Sequence, residues 1–552
     1  MAKNKGQTFV YGALLLMISN VLVKIVGAFL RIPLTNIVGV EGMAYYNAAY
    51  SIYVSFYMIS TAGIPVAVSR MIATANSKNN HNEIKKIFKV AFWLFFAIGV
   101  IGTGVMMIFA KSFAASSKMP DSYFAMLAIA PTIFFICLSS AYRGYFQGLQ
   151  NMIPTAVSQV IEAVSKLGIG IVAAVYFTKN GYPMYIVATY VILGVTIGVF
   201  LGMVYGAVIK AMYNSSADYK NTLINCTQES RGWKPILKEL VIIAIPITLA
   251  SSIMGLTNLV DTMLFARGLQ STGITEKAAT SFYGTYTSMV YPLFNLVPPF
   301  IYTFAISAIP AVSSAIAVGN RKKASLDIES AFRNCAIIAI PCAIGMASLS
   351  RRIVSFLFAE EMIDTGKEVV STLDLASPAL SVISIGIFFL GVISITNAIL
   401  QACSKESYTI VSTVSGIVIK VISTWLLSRV PGLGLLGASL GTLLCYFTIM
   451  AFNVFFMISK TGFTVRPHKV FVKPLISGIA CGLSAVVVSV IMYKNPISER
   501  LSTLISIGIA VVVYFVCLIL LKGISRYDVL MMPKGNKICS VMDKFNLLEK
   551  GE

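Results

Sequence analysis

Histidine is nearly missing from this chain: its 552 residues contain two, His81 and His468, and both fall between apolar runs. Carboxylates are thin as well, 22 against 43 lysines and arginines, and charged residues of both signs make up only 12% of the sequence. These shortages exclude much chemistry. There is no H-E-x-x-H, no D-D-x-x-D and no Ser/His/Asp arrangement, so hydrolysis by a metal or an activated serine finds no support. The G-x-x-x-x-G-K-[ST] loop is missing too, so ATP is not hydrolysed by that route. The nine cysteines are scattered, with no C-x-x-C and no histidine beside them, and read as buried thiols rather than a zinc site or a disulfide framework. No cofactor, no metal and no enzymatic activity is expected.

What the chain has in quantity is hydrocarbon. Hydrophobic residues are 57% of the total, far above the soluble norm. A spanning helix needs about 20 mainly apolar residues, and 14 such runs can be drawn, near 9–33, 43–69, 87–110, 122–146, 152–177, 182–209, 236–266, 280–309, 330–349, 370–400, 408–428, 433–458, 470–493 and 500–522. The expected class is therefore an all-α integral membrane protein. Lys3 and Lys5 precede the first run without a small-residue cleavage site, which predicts an uncleaved first span. The formal charge of +21 would suit nucleic acid only as a basic face on a soluble domain. Here the cations lie in the connecting stretches. Roughly 28 fall on the side of the N-terminus and roughly 11 on the other, so both termini are expected in the cytoplasm.

A duplication is legible. Ile64-Pro65-Val66-Ala67-Val68-Ser69 is echoed by Ile309-Pro310-Ala311-Val312-Ser313-Ser314, each ahead of a basic stretch and then Phe88 or Phe332. A second echo pairs Gln147 with Gln401, Thr155 with Thr409, Val157 with Val411, Ser158 with Ser412 and Lys166 with Lys420. This predicts two six-span lobes in parallel orientation, 1–209 and 236–459, joined by a cytoplasmic linker at 210–235. Two extra spans over 460–522 and a cytoplasmic tail at 523–552 follow. In the tail Ile538, Val541, Met542, Phe545 and Leu548 recur at helical spacing among lysines, the pattern of a helix lying on the inner leaflet.

Ionisable groups inside spans are costly, about 2.5–3.5 kcal/mol each on insertion scales, and so face a cavity or a partner. Lys24 and Arg31 lie seven residues apart on one face of span 1, with Gly27 between them. Span 7 carries Asn258, Asp261 and Arg267, and superposing the repeats sets Asp261 against Lys24 and Arg267 against Arg31. A substrate role for these residues competes with plainer ones: Arg31 and Arg267 can snorkel to the interface, and Lys24 can pair with Asp261. Lys24, the deeper, is expected to tolerate substitution less than Arg31. Glu162 stands one turn before Lys166 and is expected to neutralise it as an i,i+4 pair. Lys420 has no such neighbour and is a candidate cavity cation. Arg70 and Arg143 read as interfacial anchors at inner helix ends.

Span 1, reading Lys24-Ile25-Val26-Gly27-Ala28-Phe29-Leu30-Arg31-Ile32-Pro33, resembles the multidrug/oligosaccharidyl-lipid/polysaccharide exporter superfamily. With Ile37-Val38-Gly39, Ala49-Tyr50 and Gly63-Ile64-Pro65 it is similar above all to the polysaccharide transporters grouped with stage V sporulation protein B and the MurJ-type lipid II flippases. The resemblance runs over about the first 520 residues. It implies outward flipping, across a bacterial cell membrane and for peptidoglycan or surface polysaccharide synthesis, of an undecaprenyl-diphosphate-linked glycan. In this group basic residues of span 1 and of the second lobe meet the diphosphate; Lys24 and Arg31 match the span 1 positions. The acidic residue that follows the second cation in the pattern is Ile32 here, and the arginine expected within span 2 has no match, Arg70 lying too far along. The expected partners are a lipid-linked anionic glycan, the bilayer and a monovalent coupling ion, with the chain acting as a monomer and binding no nucleic acid. Two competing classes stand beside this one: a cation-coupled multidrug exporter of the same fold, and a membrane glycosyltransferase acting on the same lipid. The exporter calls for carboxylates that span 1 lacks; the transferase calls for a large outer loop, and the outer loops are short.

Overall fold

A computed structural model of the chain describes residues 2–61, 63–215, 229–430, 432–493, 499–526 and 539. The apolar runs are helical, as they must be where no water can satisfy backbone groups in the bilayer. In chain order the long helices of the first part are α1 (Ala2–Thr61), α2 (Gly63–Ser77), α3 (His81–Ser116), α4 (Ser122–Gly148), α5 (Ile153–Lys179), α6 (Met184–Ser215) and α7 (Trp233–Val260). A π-helical turn, Asp261–Phe265, leads into α8 (Ala266–Gln270), then α9 (Glu276–Thr285) and a second π turn, Tyr286–Val290. The second part comprises α10 (Tyr291–Phe294), α11 (Pro298–Ala317), α12 (Arg321–Ser348), α13 (Ser350–Leu357), the antiparallel pair β1 (Met362–Asp364) and β2 (Val369–Ser371), α14 (Thr372–Ser384), α15 (Gly386–Ala402), α16 (Ser407–Leu427), α17 (Gly434–Thr461), α18 (Pro467–Val470), α19 (Val472–Tyr493) and α20 (Glu499–Leu520).

Among the described residues 11 helices are long and apolar enough to cross a membrane. Fourteen were expected, and the expected runs are drawn differently. α1 carries spans 1 and 2 together: Pro33 stays inside helix, and the break comes at Gly39, whose φ of 75° is left-handed backbone that glycine takes without steric cost. The run expected over 280–309 is cut by the second π turn and the short α10 into pieces. The tail at 527–538 and 540–552, and the linker at 216–228, lie outside the described residues, so the expected tail helix does too.

Two compact units divide the chain, Met1–Ser288 and Met289–Glu552. In the first, α4, α5 and α6 pack together with α1 on them, and α7 packs on α1 and α2. In the second, α12 packs on α11, α15 and the closing pair α19 and α20. That pair is seated by a cluster of Leu349, Cys481, Ala485, Ala510, Tyr514 and Leu518. The Tyr514 hydroxyl donates to the Ile337 carbonyl at 2.7 Å.

Both sequence echoes recur in the backbone. α4 ends with Gln150 N–H donating to Gln147 O at 3.0 Å and Asn151 N–H to Phe146 O at 2.9 Å. The end of α15 repeats this 254 residues later, Ser404 to Gln401 at 3.0 Å and Lys405 to Leu400 at 2.7 Å, and Gln150 and Ser404 share a left-handed φ of 59° and 55°. After the first echo, Asn80 and Asn320 each cap a helix, their Oδ1 accepting from Glu83 N–H and Lys323 N–H, both at 3.0 Å. Each follows a left-handed residue, Asn79 or Gly319.

Candidate functional site

A polar cluster is built in the first unit where α1, α5 and the segment from the first π turn to the second come together. α9 can reach α1 only because residue 284 is glycine: a Cβ there would lie 1.9 Å from the Val40 carbonyl oxygen and 3.2 Å from the Ala44 side chain. Glu41 and Lys277 tie the same two helices at 3.4 Å. The approach sets Tyr283 and Thr287, one turn apart, against the α1 face that bears Asn47 and Ser51. Asn47 Nδ2 donates to Thr287 Oγ1 at 3.1 Å, and Arg31 Nη1 donates to the Thr287 carbonyl at 3.0 Å. The Tyr283 hydroxyl meets Thr262 Oγ1 at 2.9 Å and Ser51 Oγ at 3.5 Å. Thr262 follows Asp261, and both are buried in the first π turn. Widened turns of this kind often mark functional segments.

The same stretch of α1 is also aromatic. Tyr46, Tyr50, Tyr53 and Tyr57 form a ladder along α1, with successive ring centroids 5.8, 5.7 and 5.9 Å apart. Lys166 of α5 holds its ammonium 4.5 Å from the Tyr50 ring centre, a cation–π contact. Arg31 is close enough for the two charges to repel. Among the described residues neither Arg31 nor Lys166 makes an ion pair. Two cations therefore share a membrane-embedded cluster and are held there by a carbonyl, by hydroxyl-rich neighbours and by ring faces, an arrangement that can receive an anion.

The structure changes the reading of Glu162. It is bonded not to Lys166 but to Arg143, Oε2 to Nη2 at 2.8 Å, and Arg143 Nε also donates to Ser158 Oγ at 3.1 Å. Arg143 is thus no interfacial anchor: only 9% exposed, it cross-links α4 to α5. Pairing across helices wins because it saturates a buried guanidinium, leaving Lys166 to the tyrosines. Arg70 is exposed midway along α2, not at a helix end as expected, and Arg267 is exposed in the short α8, as a snorkelling residue is. Lys420 is 1% exposed on α16 in the second unit, where Ser423 Oγ donates to its carbonyl at 3.2 Å. In that unit Asn453 Nδ2 also donates to Asn397 Oδ1 at 2.8 Å. The side chains of Lys24 and Asn258 lie outside the described residues. Sequence reasoning missed Asn47, Thr262, Tyr283 and Thr287; the signal available for the first was its place, with Ser51, one turn apart in a tyrosine-rich span.

A profile of the polysaccharide biosynthesis protein family matches residues 9–316, more than half of the chain. The chain belongs to that family. Stage V sporulation protein B of Bacillus subtilis (strain 168) is 26% identical over 443 residues, covering 79% of this family member and 80% of the relative. Lipid II flippase MurJ of the same organism is 24% identical over 478 residues, 84% of each chain. Among solved structures, lipid II flippase MurJ in an inward closed conformation superposes with a TM-score of 0.64 at 17% identity, covering 91% of this chain and 98% of that one. An inward-facing multidrug resistance MATE family transporter of the MOP superfamily follows with 0.59 at 16% identity, covering 79% and 93%. At such identities the likeness is one of fold: this polysaccharide biosynthesis protein is a multi-pass, predominantly helical membrane protein with the architecture of these transporters.

Proposed function

We propose that this protein carries an anionic glycan precursor linked to a polyprenyl diphosphate, such as lipid II, from the inner to the outer leaflet of a bacterial cell membrane by alternating access. The observation that carries the reading is the pair Arg31 and Lys166, close together in the membrane unit and, among the described residues, without an ion-pair partner. A diphosphate supplies the missing charge, and the hydroxyls of Tyr283, Thr262 and Ser51 offer hydrogen bonds to what it bears. Lys24 and Arg267 extend the cationic lining in this reading, Lys420 is a buried substrate-binding cation offered by the second unit, and Asp261 holds one of the cations when the substrate has left. The two lobes proposed are 1–209 and 236–459, working as a monomer with both termini cytoplasmic. With the cell interior negative, moving two negative charges outward releases about 4.6 kcal/mol at 100 mV, at about 2.3 per charge. That drives flipping without ATP and without a covalent step.

The test is transport of fluorescent lipid II in vesicles holding the purified protein. Arg31→Gln and Lys166→Gln are expected to lower the rate at least tenfold in protein that still folds, with Lys166→Gln melting near wild type and Arg31→Gln lower by about 2 kcal/mol for the bond to Thr287 that it gives up. Wild-type transport by both variants overturns the assignment of the site. Failure of the wild type to move lipid II, or to sustain growth of a strain lacking its lipid II flippases, overturns the substrate. A drug-export phenotype that survives both substitutions would put the chain with the cation-coupled exporters instead.

A further inference from the structure

Away from the polar cluster, the first unit holds a second built feature at the inner ends of α3 and α7. A cleft of about 510 Å³ is lined by Lys86, Lys89, Val90, Trp93 and Leu94 of α3 and by Trp233 and Leu237 of α7. Lys86, Lys89 and Trp93 recur at helical spacing, so two ammonium groups stand at the mouth and an indole sits one turn deeper. Trp233 faces it from α7, and each indole is 57% exposed. Tryptophan at this level is the usual mark of the membrane–water boundary. α3 runs for 36 residues, longer than a bilayer core requires, so its lysine-bearing first turns stand at the headgroup level.

The local charge is unbalanced by construction. Lys85, Lys86 and Lys89 on α3 and Lys234 and Lys238 on α7 crowd this corner. Of its three glutamates, Glu83 and Glu239 are taken up by Arg231, whose Nε meets Glu83 Oε1 at 2.6 Å and whose Nη1 meets Glu239 Oε2 at 2.7 Å, and the third, Glu229, still leaves Lys85, Lys86, Lys89, Lys234 and Lys238 in excess. The Arg231 N–H donates to Glu83 Oε2 at 2.8 Å, and Asn80 Nδ2 to the Glu229 carbonyl at 3.2 Å. Residues 229–231 therefore strap α3 to α7 beside the cleft and leave its lysines without a counter-charge from those glutamates. A floor of valine and leucine, indoles at the boundary and ammonium groups above match one molecule in order from bottom to top: acyl chain, glycerol, phosphate. Basic pockets between spanning helices take the headgroups of anionic lipids.

We infer that the α3–α7 cleft is a binding site for an anionic phospholipid, distinct from the polar cluster, its phosphate held by Lys86 and Lys89 and its acyl chain laid along Val90, Leu94 and Leu237.

The two tryptophans report on it directly. Trp425 is the third and last in the sequence, so Trp425→Phe leaves Trp93 and Trp233 as the sole tryptophans, excited at the red edge where the tyrosines do not absorb. The full chain in that background is reconstituted in phosphatidylcholine vesicles, and quenching by dibrominated phosphatidylglycerol is compared with quenching by dibrominated phosphatidylcholine. At about fivefold per lysine near an anionic surface, Lys86 and Lys89 together predict a preference on the order of 25-fold. Lys86→Gln/Lys89→Gln should remove most of it, and Lys322→Gln/Lys323→Gln, which deletes two exposed charges in the other unit, should leave it intact. Equal quenching by the two lipids overturns the inference, and so does a preference that survives the cleft variant or is lost in both. Displacement of the phosphatidylglycerol by undecaprenyl diphosphate at a tenfold lower mole fraction would assign the cleft to the carried lipid and overturn it as well.

Discussion

Gly284→Ala is the sharpest test of how the polar cluster is assembled. The added Cβ would meet the Val40 carbonyl oxygen at 1.9 Å, and because both are backbone-fixed, no side chain can rotate away. Reaching a bare 3.0 Å demands that α9 withdraw from α1 by about 1.1 Å. A shift of that size carries the Asn47–Thr287 and Arg31–Thr287 bonds, 3.1 and 3.0 Å, past 4 Å, beyond hydrogen-bonding range. One neutral bond is worth about 1 kcal/mol and one from a charged donor about 2, while alanine returns about 1 through helix propensity. The net loss is about 2 kcal/mol. Gly168→Ala in α5 is the matched control, since nothing lies within 4 Å of its Cβ, and it should gain about 1 kcal/mol. The assay is heat denaturation of detergent-solubilised full-length protein, where the two glycine-to-alanine changes should move the midpoint in opposite directions. A Gly284→Ala midpoint at or above that of Gly168→Ala would refute the close approach.

Three further outcomes are expected. Arg143→Met should destabilise by about 3 kcal/mol by stranding Glu162, and Arg143→Met/Glu162→Leu should restore most of that, since a buried pair replaced by packed apolar groups is often neutral; a double variant worse than the single would count against it in the same melting assay. Arg231 is half exposed, so Arg231→Gln should cost no more than about 1 kcal/mol. Donating to the Glu83 and Glu239 carboxylates raises the Arg231 pKa above its ordinary value, so its contribution is fully present below that ordinary value and is lost only as pH rises through the raised one. The gap in melting midpoint between wild type and Arg231→Gln should accordingly hold constant from pH 7 to pH 10, and a gap that closes over that window would contradict the assignment. In the lipid II transport assay Lys24→Ala should be more damaging than Arg31→Ala, and equal tolerance would remove Lys24 from the site.

The membrane class was legible because long apolar runs speak for themselves, residue by residue, without knowledge of neighbours. The echo around Gln147 and Gln401 was legible too, and the turns at Gln150 and Ser404 share their backbone geometry where few side chains match. Partners were harder. Glu162 has a tempting lysine one turn on, and nothing in the string reveals that Arg143, 19 residues back, lies nearer in space. The run over 280–309 looked like one helix because hydropathy is blind to a π turn, which changes hydrogen bonding and not composition. Thr287 escaped notice because half of its use lies in its carbonyl, which every residue has, and the other half in a hydroxyl whose partner, Asn47, is 240 residues away.

The bend at Gly39 acquires a mechanical meaning from what flanks it. Arg31 precedes it and Asn47 follows it, and both grip Thr287, so the two arms of α1 and that one residue make a closed triangle. A triangle with pinned corners cannot change its angle. The elbow is braced while both grips hold, and the guanidinium that braces it is the one proposed to receive the anion; on that proposal, capturing Arg31 also unlocks the joint.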